Sequence, residues 1–301
     1  MNRPAVTYET IKIDADVNMR YSCCTDYGNF VPVHWHDSIE VLYVLDGESV
    51  INMEQQSYVL KKGEFIIIDS KVIHSTCSRM FSHFLLIQIP YQFLMTYIPD
   101  IDYIHFQNIS SVSGIPLSEQ ESNGSVPPAE SILESIRQIL NGLTDLWNTK
   151  PEGYRLKYYS YIFDLLYLMR THFKIDISQT EYHQTEKYME RLTTVMAYVK
   201  QHYTEDISLQ DISDYLALDP SYFTRFFKKY MNMTFTEYVN TIRLHYIYED
   251  IISTDLPIQT ILERNGFTNY KRFMRLFRHT YSCTPSQKRK EIAVTNRNSK
   301  L

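Results

Sequence analysis

Apolar residues recur along this chain in two rhythms. From about residue 8 to 110 they form short runs, either alternating with polar residues or wholly apolar, at 30–33, 40–45, 49–53, 57–60, 65–68 and 84–89. Turn dipeptides such as Asp46-Gly47 and Lys62-Gly63 separate them. Many short strands divided by turns predict a β-barrel or sandwich, with chain reversals at both dipeptides. A Ser-, Gly- and Pro-rich stretch over 109–128 then reads as a loop or linker. Beyond it the rhythm becomes helical. One stripe runs through Ile132, Leu133, Ile136, Ile139, Leu140 and Leu143, and a second through Leu156, Tyr159, Ile162, Phe163, Leu166 and Leu168. With Pro151 to Gly153 as the turn, they predict an antiparallel helical hairpin that either covers the barrel or forms a dimer seam.

Residues 175–188 read as a second polar linker, and 189–292 as almost continuous short helices. Within this last region the pattern repeats. Leu209, Ile212 and Leu218 correspond to Ile258, Ile261 and Phe267, offset by 49. Phe223-x-Arg225-x-Phe227-Lys228 corresponds to Phe273-x-Arg275-x-Phe277-Arg278, and Thr234 to Thr284, offset by 50. A repeat near this period is one supersecondary unit used twice. Each unit is a helix, a short turn and a second helix. Ser208-x-x-Asp211 and Thr234-x-x-Glu237 are capping boxes, Asp219-Pro220 opens a helix, and Gly266 marks a turn. The second helices are two-faced: Phe223, Phe226 and Phe227 lie opposite Ser221, Thr224, Arg225 and Lys228 in the first. In the second, Phe273, Leu276 and Phe277 lie opposite Tyr270, Lys271, Met274, Arg275 and Arg278. One amphipathic basic helix is ordinarily a solvated surface helix. Two at a fixed offset, joined by a helix of about 18 residues and so roughly 27 Å long, predict a tandem helix-turn-helix that enters successive major grooves about 34 Å apart.

Charge sharpens this only by its distribution. The 301 residues carry a net charge of −5. Residues 1–187 hold 14 Lys and Arg against 23 Asp and Glu, whereas 188–292 hold 14 against 12. The near-neutral balance argues against nonspecific charge-driven binding and for contacts placed on particular faces. The four cysteines, Cys23, Cys24, Cys77 and Cys283, show no disulfide or C-x-x-C spacing. There is no apolar leader, and the stretch 84–98 is interrupted by Gln88, Pro90 and Gln92, so a cytoplasmic protein with no membrane segment is expected.

Over 190–290 the chain resembles the AraC/XylS transcription regulators. The residues that carry the likeness are Ser221-Tyr222-Phe223-x-Arg225-x-Phe227-Lys228-Lys229, Phe235-x-Glu237-Tyr238, Arg243-Leu244, Gly266-Phe267, Phe273-x-Arg275-x-Phe277 and Thr284-Pro285-Ser286. It departs from the family at Ser213, Ile247 and Leu262, where small Ala is usual. It departs also at Asn232 and Ser282, where Gly is usual, and at Asp250, where Leu is usual. The resemblance implies base contacts from Ser221, Thr224 and Arg225 and from Tyr270, Lys271 and Arg275. It implies phosphate contacts from Lys228, Lys229 and Arg278, and a structural Arg243.

The N-terminal half resembles a cupin: Gly28-x5-His34-x-His36-x3-Glu40-x6-Gly47 matches the first cupin motif, and Gly63-x10-His74 the second, with Asp69 and Lys71 in place of the usual Pro and Gly. In metal-binding cupins the residues matching His34, His36, Glu40 and His74 hold one divalent ion. The same four residues would suit a metal-free effector pocket that hydrogen-bonds a sugar or similar small molecule, or a buried structural cluster. The effector pocket is placed first, since a regulator needs no metal chemistry or other cofactor. Alternation turns Trp35 away from His34 and His36.

The expected architecture is thus α+β in two domains. A cupin-like effector barrel over 1–110 is followed by a helical hairpin over 128–174, a linker over 175–188, a double helix-turn-helix over 189–292 and a flexible tail over 293–301. The expected partners are double-stranded DNA, a small effector, a second copy of the chain and RNA polymerase. The rival reading is a metal-dependent cupin enzyme, such as an oxygenase or isomerase, in which the basic tandem repeat would have no role.

Overall fold

In the computed structural model, residues 9, 11–28, 30–53, 56–78, 81–112 and 130–290 are described. The expected tail over 293–301 and most of the linker over 109–128 lie outside them. The N-terminal half is a sheet-rich cupin-like domain and the C-terminal half is helical, an α+β arrangement in two domains.

Strands β1 (Arg20–Tyr27), β2 (Phe30–His34), β3 (Ile39–Met53), β4 (Gln56–Lys61), β5 (Phe65–Ile68), β6 (His74–Cys77) and β7 (Phe81–Ile89) build the barrel. The long β3 is its spine. Its first half pairs with β5 and β7, and its second half with β4 and β6, so one strand belongs to both walls. The predicted reversal at Asp46-Gly47 is therefore absent. The register shifts between Val44 and Asp46, and Gly47 takes φ +76° where an added Cβ would collide with the Phe81 carbonyl oxygen. Glycine serves a bulge that bends β3 from one wall into the other. Lys62-Gly63 does make the expected tight turn between β4 and β5, with Gly63 at φ +81°.

Short elements follow: α1 (Tyr91–Tyr97), β8 (Ile104–Phe106) and β9 (Ile109–Ser110). The hairpin α2 (Glu130–Thr149) and α3 (Tyr154–His172) then folds over the outer face of the first wall. There Ile39, Val41, Tyr43, Leu85, Ile87 and Ile89 share one core with Ile136, Leu140, Leu143, Tyr158, Ile162 and Leu165. The intervening residues, Leu42, Val44, Ile66, Ile68, Phe84 and Leu86, fill the barrel interior with Ile51, Met53, Tyr58 and Leu60. The strands of this wall are thus buried on both faces. The buried stripe of α2 is the predicted one, but that of α3 is rotated: Leu156 is 80% exposed, and the packed residues are Tyr158, Ile162, Leu165, Leu166 and Met169.

The expected linker over 175–188 is not a linker. Strand β10 (Lys174–Asp176) pairs with β8, and α4 (Gln179–His202) starts immediately after it and runs through residue 189. Ser178 and Glu181 form its capping box, and its first turns meet the barrel side through Tyr182 against Tyr103 and through the Lys71–Glu186 ion pair. The remaining helices are α5 (Leu209–Tyr215), α6 (Pro220–Met231), α7 (Phe235–Ser253), α8 (Ile258–Arg264) and α9 (Tyr270–Tyr281). Helix α7 serves both repeats. Tyr238, Val239, Ile242 and Tyr246 enter the core of the first, and Leu244, Ile247, Tyr248 and Ile251 that of the second.

The family departures find places. Asn232 and Ser282, both at φ +55°, end α6 and α9 in the left-handed conformation that favours glycine. Buried Asp250 accepts a hydrogen bond at 2.8 Å from the amide of buried Asn265. Arg243 donates to the carbonyls of Tyr203 and Glu205, both at 2.6 Å, and so ties α7 to the loop before α5.

Candidate functional site

His34 ends β2, His36 lies in the loop after it, Glu40 is the second residue of β3 and His74 opens β6. Strand pairing sets His34 opposite His74. All four side chains are buried, and one donor atom from each lies within 4.8 Å of all the others. Each imidazole is oriented from behind. Nδ1 of His34 donates to the Pro32 carbonyl at 2.9 Å, that of His36 to Ser38 at 3.1 Å and that of His74 to Val72 at 2.9 Å. A carbonyl can only accept, so each Nδ1 carries the hydrogen and each Nε2 is presented to the cluster. Backbone bonds of this kind hold metal-ligating histidines in place.

The electrostatics divide the four groups. Burial alone would raise the Glu40 carboxyl, but the hydrogen bond from His36 Nε2 at 3.0 Å and the neighbouring imidazoles hold it far below the usual carboxylate range. Burial alone would lower His36, yet the same Glu40 carboxylate outweighs it and the ring is held above its ordinary value. His34 is lowered to about 4 by burial and the adjacent His74, and His74 is lowered chiefly by burial. His34 and His74 therefore present neutral Nε2 lone pairs, and His74 Nε2 is buried without a hydrogen-bond partner among the described residues. Two donors on one ion bonded at about 2.1 Å stand at most about 4.2 Å apart, so a small contraction would bring all four onto one cation. Three imidazoles and a carboxylate suit a first-row divalent metal.

Reading the sequence missed three further residues. Gln88, on β7 and fully buried, donates from Nε2 to Glu40 Oε2 at 2.8 Å and to Glu9 Oε2 at 2.7 Å. Arg20 donates to Glu9 Oε1 at 2.7 Å and to Gln88 Oε1 at 3.1 Å. A polar residue inside the apolar run 84–89 was the only local signal, and it belonged to Gln88. The two cupin departures serve other ends. Asp69 accepts from the Phe106 backbone at 3.1 Å and lies 3.0 Å from His105 Nδ1, and Lys71 pairs with Glu186.

The opposite faces of these strands meet the helical domain. Trp35, 6% exposed, and Val33 belong to the same buried cluster as Met189, Leu192, Phe226 and Tyr246, with Ile73 packed against it. Phe30 meets Tyr281 edge to face at 6.4 Å between centroids, and Cys77 Sγ lies 3.7 Å from the Thr280 carbonyl oxygen. Strands β2 and β6 thus carry donors inward and dock the helix-turn-helix outward.

In the helical domain, Ser221, Thr224, Arg225, Lys228 and Lys229 on α6 and Tyr270, Lys271, Arg275 and Arg278 on α9 are all exposed. Phe223, Phe226, Phe227, Phe273 and Phe277 are buried beneath them. Local chemistry sets both helices. The Asp219 side chain accepts from the amides of Ser221 and Tyr222, and Asn269 accepts from that of Arg272. Before each helix the chain turns through a left-handed residue, Ala217 at φ +52° and Gly266 at φ +66°. At Gly266 a Cβ would also collide with the Thr204 carbonyl oxygen. Arg225, Lys228, Lys271, Arg275 and Arg278 form no ion pair within 4.0 Å among the described residues.

Residues 24–78 match the description of a cupin domain and residues 212–291 that of a helix-turn-helix domain. Regulatory protein PocR of Salmonella typhimurium is 31% identical over 102 residues, 34% of this chain and 34% of PocR. An uncharacterized HTH-type transcriptional regulator of Staphylococcus aureus (strain COL) is 23% identical over 257 residues, 84% of this chain and 31% of its own length. The uncharacterized HTH-type transcriptional regulator YdeC of Bacillus subtilis is 24% identical over 271 residues, 85% of each chain. The match thus spans about a third of the first two and most of YdeC. Among the described residues no helix is long and apolar enough to cross a membrane.

Proposed function

Taking the chain as a cupin domain joined to an AraC-type helix-turn-helix domain, we propose that it is a DNA-binding transcription regulator whose DNA geometry answers to a divalent cation in the cupin centre. Helices α6 and α9 enter successive major grooves. Ser221, Thr224, Arg225, Tyr270, Lys271 and Arg275 meet base edges, while Lys228, Lys229 and Arg278 meet phosphates. His34, His36, Glu40 and His74 hold the cation. Bound there, a cation would offset the charge of Glu40 and link residues at the ends of β2, β3 and β6. The donors converge on a point, which favours an ion over the sugar expected from the sequence.

The observation that carries this reading is the two-sidedness of β2 and β6, with donors on one face and the helix-turn-helix docked on the other. A change in the centre then has a short mechanical path to the DNA-binding domain. A regulator needs the ligand to bind its two states unequally, and this shared wall supplies the difference. The names of the relatives support regulation over catalysis, and a cupin enzyme would leave the two exposed basic helices without a role. We further assign homodimer formation to the face of α3 that carries exposed Leu156, Phe163 and Tyr167, next to exposed Tyr97.

Genome-wide footprinting with and without a divalent-metal chelator tests this. The expected result is a set of discrete, sequence-related sites whose occupancy changes on chelation. Uniform coverage would remove the DNA-recognition half, and an occupancy indifferent to chelation would remove the sensing half.

A further inference from the structure

Glu9 lies outside every strand, yet its carboxylate reaches the donor cluster. Its backbone amide donates to the Trp35 carbonyl at 3.1 Å, which sets its side chain beside the loop bearing His36. Glu9 Oε2 stands 3.7 Å from His34 Nε2 and 4.0 Å from His36 Nε2, on the side where those nitrogens are presented. That oxygen shares the Gln88 amide with Glu40, and Arg20 neutralises the other oxygen while fixing the Gln88 carbonyl. Two carboxylates, that of Glu40 buried and that of Glu9 part-exposed, are thus brought together by a single bridging amide. Like charges so placed repel unless a cation lies between them.

Resting on the cation reading above, we propose that Glu9 is a fifth protein donor to the centre. With it the donor set becomes three imidazoles and two carboxylates, one of them also paired with Arg20. The residue that holds the Glu9 amide is Trp35, so this donor stands beside the residue that faces the helix-turn-helix.

The test uses the full chain, stripped by chelator and titrated with Zn²⁺ against a chromophoric competitor, as wild type and as Glu9→Gln. Loss of this donor should weaken binding about tenfold or more, while the apo proteins melt at the same temperature. The visible bands of the Co²⁺-loaded protein should also change, since they report the donor set, which a charge acting through space would leave alone. Wild-type and variant affinities within twofold of each other, or unchanged Co²⁺ bands, would overturn the fifth donor and leave the four-residue centre standing. A wild type that binds neither metal would overturn both.

Discussion

Trp35→Ala should cut the communication between the cupin centre and DNA while sparing each binding site. Its neighbours His34 and His36 face the donors, and Trp35 itself is buried among residues of the helical domain. A buried Trp removes roughly 150–250 Å² from water, worth about 4–6 kcal/mol at about 25 cal/mol/Å². That is an upper figure, because an unfolded chain already hides part of this surface. Measured truncations of aromatic core residues run at about 3–5 kcal/mol. If half of this falls on the contact between domains, docking weakens by about 1.5–2.5 kcal/mol, roughly 10- to 60-fold. Fluorescence anisotropy with an operator duplex, in excess Zn²⁺ and in chelator, reads the consequence. Wild type should show two affinities and Trp35→Ala one, with its Zn²⁺ affinity kept within about twofold because no donor has moved. Trp35→Phe should fall between. A Trp35→Ala protein that keeps the full wild-type difference would refute the route through β2.

Three further outcomes follow from the same geometry. Arg225→Ala and Arg275→Ala should each lose about 1–3 kcal/mol at the cognate site and relax base preference, whereas Lys228→Ala should weaken all sequences alike and lower the salt slope by about 1. Unchanged selectivity in both Arg variants would mean that these helices do not read bases. Cation affinity should rise with pH through the elevated His36 titration, because the proton that His36 shares with Glu40 must leave before Nε2 can ligate. Calorimetry in buffers of different ionisation enthalpy should then show proton release on ion binding that diminishes as pH rises, and no release at any pH would contradict the assigned charge states. Gly63→Ala faces open space and should cost about 1–2 kcal/mol for its left-handed backbone alone, whereas Gly266→Ala adds a backbone collision and should cost clearly more in urea denaturation. Equal costs would discount the packing against Thr204.

Much of the C-terminal domain was legible because its determinants are local. Capping boxes act over three residues, the Asp219-Pro220 start over two, and the inward Phe and outward Arg positions follow from 3.6 residues per turn. Repetition at a near-constant offset then turned two weak signals into one strong one. The four cupin donors were legible as a motif of fixed spacing, with His34 closing β2 and His36 just beyond it. The Ser178-x-x-Glu181 box was as local as the others and marks the start of α4, which a polar composition disguised as a linker.

What the tertiary structure decided is whatever depends on a partner distant in sequence. Asp46-Gly47 can close a hairpin or bend a strand, and only the pairing of β3 with β7 selects the bulge. The runs at 40–45 and 65–68 lose their alternation because a helical hairpin covers one face and the barrel interior the other. Leu156 is exposed because the rotation of α3 is set by the sheet beneath it and not by its own periodicity. Glu9 and Gln88 meet across 79 residues, and Trp35 meets Met189 in one cluster only once the domains dock. Short-range hydrogen bonding and helical periodicity are written into neighbouring residues. The assembly of a charge centre and its coupling to a second domain are not, because they arise only when burial brings remote groups into one low-dielectric space.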